Sequence, residues 1–140
     1  MARYLLDTNI LVYVLLSEFD NLSNDSKIIL NDYDNLLFTS SLSVMEILQL
    51  LRIKKIKAKK YQTPTELFSA IEKEFYIKIV PFAKEHVQTL ARLQIPADHN
   101  DPFDHAIIAQ AMSEKMTLVS SDKKFKEYAP QQLRLAFNRR

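Results

Sequence analysis

Short apolar runs along this chain alternate with longer stretches in which apolar residues recur at helical spacing. Residues 4–6, 36–39, 77–80, 117–119 and 133–137 read as strands. Between them, 10–16 looks like a buried helix and 26–30 like a short one. After Ser43, the residues Val44, Ile47, Leu48 and Leu51 recur at helical spacing. Residues 65–75, preceded by Pro64, place Leu67, Phe68 and Ile71 on one side of a helix. Val87, Leu90, Ala91 and Leu93 mark a further amphipathic helix, and 103–112 a strongly apolar one. Strands separated by helices predict an α/β fold around a parallel sheet. No linker, repeat or low-complexity stretch interrupts the pattern, and 140 residues suit one domain spanning 1–140.

Composition narrows the chemistry. Glycine is absent, which excludes every glycine-rich phosphate loop and dinucleotide fingerprint. Turns with positive φ must then fall to Asn or Asp, as at Asn31-Asp32 and Asp34-Asn35. Cysteine is absent too, so there are neither disulfides nor thiolate zinc sites. A formal net charge of +2 does not by itself mark a nucleic-acid binder. The start of the chain is a poor signal peptide, because Asp7 interrupts the apolar run after Arg3. The apolar stretch 10–16 is far shorter than the roughly 20 residues of a membrane span. A cytoplasmic protein without a membrane segment is expected.

Four acidic clusters stand where a strand ends or a helix begins: Asp7-Thr8-Asn9, Ser43-Val44-Met45-Glu46, Asp101-Pro102-Phe103-Asp104 and Ser120-Ser121-Asp122. Each has a local explanation. Asp7 can cap the helix beginning near Asn9, and Ser43-x-x-Glu46 matches a capping box. Asp101-Pro102 is a good helix start with Asp104 favoured by the helix dipole, and Asp122 can cap a short helix through Lys126. Their conjunction says more. In a parallel sheet wound by helices, the carboxyl ends of all strands share one edge, where ligands bind. Carboxylates crowded there repel unless a cation intervenes, and hard cations such as Mg²⁺ and Mn²⁺ take such oxygen ligands. Capping alone does not require a shared edge. The clusters point to a metal-dependent hydrolase.

Asp7-Thr8-Asn9, Glu46, the run from His99 through Asp104 to Ala111, and Leu118-Val119-Ser120-Ser121-Asp122 together resemble the PIN-domain nucleases, and more narrowly the VapC toxins of toxin–antitoxin pairs. The resemblance implies a three-layer α/β/α domain with a five-stranded parallel sheet and Mg²⁺- or Mn²⁺-dependent endoribonuclease activity on RNA. It places the family's acidic residues at Asp7, Glu46, Asp104 and Asp122, with Asp101 auxiliary, and implies a homodimer neutralised by a cognate antitoxin. Ser120 stands where the family often has Thr, which keeps a hydroxyl, and His105 where an Arg commonly follows the helix Asp.

On this reading Asp7, Asp104 and Asp122 hold one or two metal ions, and Glu46 either ligates or holds a bound water. Asn9 and Ser120 are candidates for orienting the carboxylates. His99 and His105 flank the site without a spacing typical of metal ligation, and His86 is expected on a helix surface. The basic run from Arg52 to Lys60 is either a solvated helix end or a patch in which Lys54, Lys55, Lys57, Lys59 and Lys60 contact RNA phosphates. Phe19, Tyr61 and Phe125 could offer stacking surfaces, although aromatics are more often core. A dehalogenase-type phosphotransferase would need a second Asp where Asn9 stands, and a response-regulator receiver an acidic pair near the first strand. The remaining alternative is a non-toxin PIN nuclease acting in RNA processing or repair.

Overall fold

A computed structural model describes residues 1–139. Five parallel strands, β1 (Arg3–Leu6), β2 (Leu36–Ser40), β3 (Ile77–Val80), β4 (Thr117–Ser120) and β5 (Leu135–Phe137), form one sheet in the order β3-β2-β1-β4-β5. The registers Leu6↔Thr39, Leu6↔Val119, Ser40↔Val80 and Ser120↔Phe137 align their carboxyl ends along a single edge. The strand order reverses direction between β1 and β4. That switch point is where open α/β sheets leave a crevice.

Side chains alternate across the sheet. Leu6 and Val119 face one core with Ile10, Leu11, Val44, Ile47, Leu67 and Ile71. These come from α1 (Thr8–Leu15), α3 (Ser41–Arg52) and α4 (Pro64–Lys73), with Ile29 and Leu30 of α2 (Asn24–Asn31) packed against them. Leu5 and Leu118 face the other core, with Ile107, Ile108 and Ala111 of α6 (Pro102–Glu114). Helix α5 (Lys84–Arg92) packs against α6, completing three layers. In α6, residues 106–111 are buried without a break, so the helix is covered on every side. No helix among the described residues is long and apolar enough to cross a membrane.

Several local expectations change. Positive φ falls at Ser17, Lys54, Tyr76, Lys115 and Gln132, each just past a helical segment, and not at Asn31-Asp32 or Asp34-Asn35. Ending the helices in left-handed backbone takes precedence, even with non-glycine residues. Asp32 turns the chain with its side chain instead, its Oδ1 accepting from the Asp34 N–H at 2.9 Å. The Ser43–Glu46 capping box does not form. Ser40 caps α3 by accepting from the Leu42 N–H, which leaves Ser43 and Glu46 inside the helix and free for tertiary contacts.

Phe125 is fully buried in the second core and offers no stacking face. Phe68 and Val87 point outward, and His86 takes the buried place on α5. There the Ala83 N–H donates to Nδ1 at 2.8 Å, so Nε2 carries the ring proton and reaches Glu114 at 3.1 Å. Glu85, His86 and Glu114 lie close enough together to suggest a metal cluster. With both ring nitrogens engaged, His86 instead fastens α5 to α6.

Candidate active site

The carboxyl edge of β1 and β4 gathers the acidic side chains. Asp7 follows β1 directly; only 5% exposed, it caps α1 by accepting from the Thr8 N–H at 2.8 Å. Its second oxygen accepts from the Ser120 hydroxyl at 2.7 Å, and Ser120 Oγ in turn accepts from the Asp122 N–H at 3.0 Å. One serine thus ties the carboxylate after β1 to the backbone after β4. Burial pushes the Asp7 carboxyl up to about 7; the bonds from Ser120 and Thr8 oppose this, and the nearby Asp104 and Glu46 charges add to it.

Glu46 reaches the site from α3. Its Oε1 accepts from the Thr8 hydroxyl at 2.8 Å, and Thr8 Oγ1 lies 3.0 Å from the buried Ser43 Oγ. Asp104 projects from the first turn of α6, with Asp101 capping that helix through the Phe103 N–H at 2.9 Å. Burial raises the Asp104 pKa, His99 opposes the rise, and the Asp101 and Asp122 charges contribute to it. Asp122 caps the 3₁₀ segment Lys123–Gln131 by accepting from the Lys124 N–H. Asn9 is exposed on the first turn of α1.

His99 is the residue that spacing alone did not single out. It is 2% exposed, with Nε2 3.1 Å from Asp104 Oδ2 and Nδ1 2.6 Å from the Tyr128 hydroxyl. An ionised carboxylate only accepts, so Nε2 donates to Asp104 and, in the neutral ring, Nδ1 accepts from Tyr128. Burial lifts the Tyr128 pKa to about 12, so its hydroxyl keeps its proton. His105 Nε2 donates to the His99 carbonyl at 2.7 Å and its ring meets His99 edge-on, fixing the loop before α6. Ligand atoms of His99, Asp104 and Asp122 lie within 4.8 Å of one another. With both ring nitrogens engaged, His99 orients Asp104 rather than ligating, and the oxygens of Asp104 and Asp122 supply the charge that suits a divalent cation.

The basic segment lies elsewhere. Past the end of α3, residues 57–61 line a cavity of about 250 Å³ with Leu15, Leu16 and Ser17, at the far end of α1 from Asp7. Lys54, Lys55, Lys57, Lys59 and Lys60 are exposed, and Lys60 pairs with Glu74.

The family model described as PIN domain matches residues 4–130. The chain belongs to the PIN-domain family. No curated protein matches it in sequence. Solved structures sharing the PIN fold include VapBC2 from Rickettsia felis, bound to a DNA fragment from its promoter, at 22% identity and TM-score 0.68 over 98% of this chain and 99% of that one. DNA-bound VapBC from Salmonella typhimurium aligns at 18% identity and TM-score 0.65 over 98% of each chain. VapBC-5 from Mycobacterium tuberculosis aligns at 16% and 0.58 over the whole of both. Within this PIN domain, the sequence order hides what the fold joins: Thr8 and Glu46, 38 residues apart, and Tyr128 and His99, 29 apart. Buried hydroxyls beside carboxylates were the available signal for the first pair. Nothing local announced the second.

Proposed function

We propose that this PIN domain, acting as one unit over residues 1–140, is a Mg²⁺- or Mn²⁺-dependent endoribonuclease and the toxin of a toxin–antitoxin pair. The observation that supports this best is the buried Asp7 carboxyl, raised to about 7 and facing Asp104 and Glu46 at the sheet's switch point. A carboxylate held in that setting gains from a cation. Asp7, Asp104 and Asp122 would hold the ion, with Glu46 as a further ligand or a holder of water. When bound, a divalent ion lowers the pKa of its water and neutralises charge growing on the scissile phosphate.

The side chains around it have separate tasks. Ser120 keeps Asp7 aimed along the edge, Thr8 restrains Glu46, and His99 with Tyr128 behind it restrains Asp104. Donors that fix ligating carboxylates are worth about 10–100-fold in metal affinity or activity when removed. The motif resemblance, and a fold shared with proteins solved in VapBC complexes, support the toxin assignment and an antitoxin partner; the homodimer is what the motif resemblance implies. Expression of the chain alone is expected to arrest growth, and an antitoxin encoded beside it to restore it. Equal harmlessness of the wild type and Asp7→Asn across hosts would leave a PIN nuclease outside toxin–antitoxin biology.

A further inference from the structure

Beside Asp122 the surface opens into a groove that neither the acidic set nor the basic run of the sequence accounts for. A hollow of about 450 Å³ is lined by Ser121, Lys123, Lys126, Phe137, Asn138 and Arg139. A second, of about 490 Å³, shares Lys126, Phe137 and Arg139 and continues to Ser23, Asn24 and Asp25 at the start of α2. The groove therefore begins at the residues on either side of Asp122 in the chain and runs outward past the end of β5, the edge strand.

Its walls are held in place. Asn138 is buried: its Oδ1 accepts from the Ser23 N–H at 2.7 Å, and its Nδ2 reaches the Asn21 carbonyl at 2.8 Å and Ser121 Oγ at 2.9 Å. Its own N–H donates to the Ser120 carbonyl at 2.7 Å. One amide thus joins the β4 tail, the β5 tail and the approach to α2. Lys126 Nζ stands 4.0 Å from the centre of the Phe137 ring, which keeps the ammonium over the groove. Among the described residues, Lys123, Lys126 and Arg139 have no carboxylate partner, and Asp25 is the one acidic residue in either lining.

We infer that this groove is the path of the substrate strand, with Lys123, Lys126 and Arg139 gripping RNA phosphates beside the carboxylate pocket. The inference rests on the nuclease reading above. Unpaired cations next to a pocket of carboxylates offset the repulsion that a phosphate chain would meet there. The lysines at 54–60 are less suited. Helix α3 leads away from the carboxyl edge for 12 residues, about 18 Å at 1.5 Å per residue, before that segment begins.

The test is fluorescence anisotropy of the full chain with a labelled single-stranded RNA of mixed sequence over a range of NaCl concentrations. Lys123→Gln/Lys126→Gln/Arg139→Gln is expected to reduce the log–log salt slope by about 2, since each single-strand phosphate contact contributes about 0.7. Lys55→Gln/Lys57→Gln/Lys59→Gln should leave the slope in place. Lys123→Gln/Arg139→Gln, which spares the Lys126–Phe137 contact, should lose about two-thirds as much. Mn²⁺ affinity and melting temperature, measured alongside, should match the wild type. A slope unmoved by the groove changes, or moved equally by the distal ones, overturns the path even if the wild type cleaves RNA. A wild type that neither binds nor cleaves RNA overturns both this path and the nuclease reading.

Discussion

Replacing Asp7 with Asn separates the electrostatic cost of the site from its architecture. The carboxyl is buried and its pKa is raised from 3.8 to about 7. Three pKa units correspond to about 4 kcal/mol at about 1.36 kcal/mol per unit, an upper bound on what ionising Asp7 withholds from folding. The sign follows from proton binding. Between pH 4 and 7 the folded protein holds a proton at Asp7 that the unfolded chain has released, so stability falls as pH rises through that window. Below pH 4 the penalty is absent, and above pH 7 it is complete. Asn keeps the shape, remains a good helix cap through its Oδ1, and can offer its Nδ2 to Ser120 Oγ. In chelator, Asp7→Asn should therefore melt close to the wild type near pH 4–5 and well above it at pH 8. The gap should be on the order of 10 °C if about 3 kcal/mol is recovered. Saturating Mn²⁺ should narrow it, because a ligand at a hundredfold excess over Kd stabilises the wild type by about 2.7 kcal/mol. Melting curves at several pH values, with chelator and with Mn²⁺, make the comparison. A variant that melts below the wild type at pH 8 in chelator, or a gap that does not change with pH, would refute the reasoning.

Removing the Tyr128 hydroxyl with Tyr128→Phe frees His99 to turn or change tautomer, and should weaken Mn²⁺ binding by about 10-fold with little change in fold, read by calorimetric titration. His99→Gln should weaken it further because the ring's packing is lost as well; unchanged affinity in both variants would detach His99 from Asp104. Thr8→Val should lower cleavage by about 10-fold or more while leaving Asp7 in place, since Glu46 loses the hydroxyl that restrains it. Tyr76 sits at φ 55 and is 82% exposed, so Tyr76→Gly should raise stability by about 0.5–1 kcal/mol in a denaturant titration.

The strands were legible because each is a short apolar run, and β3 matches its expected bounds at both ends. Helix starts were less so. The run Thr39-Ser40-Ser41-Leu42-Ser43 offers several hydroxyl caps, and the end of β2 chose Ser40, which freed Glu46 to meet Thr8. The acidic residues stood out because each follows a strand or opens a helix, and a parallel sheet collects such positions. His86 was expected on a helix surface and is buried, and His99 was expected beside the site but with no sign of its burial. A histidine looks like a surface residue by composition, and only tertiary partners, Glu114 for one and Asp104 with Tyr128 for the other, make its burial affordable. The basic run drew notice by density, whereas Lys123, Lys126 and Arg139 are scattered in sequence and meet only when β5 is laid beside β4.

Cleavage of RNA by purified wild type and Asp104→Asn, each with Mn²⁺ and with excess chelator, bears most directly on the central claim. The account predicts cleavage by the wild type with Mn²⁺, none in chelator, and loss of most activity in the variant, which gives up a ligand charge while keeping the shape of the α6 turn. Undiminished cleavage in excess chelator, or full activity of Asp104→Asn, would contradict it.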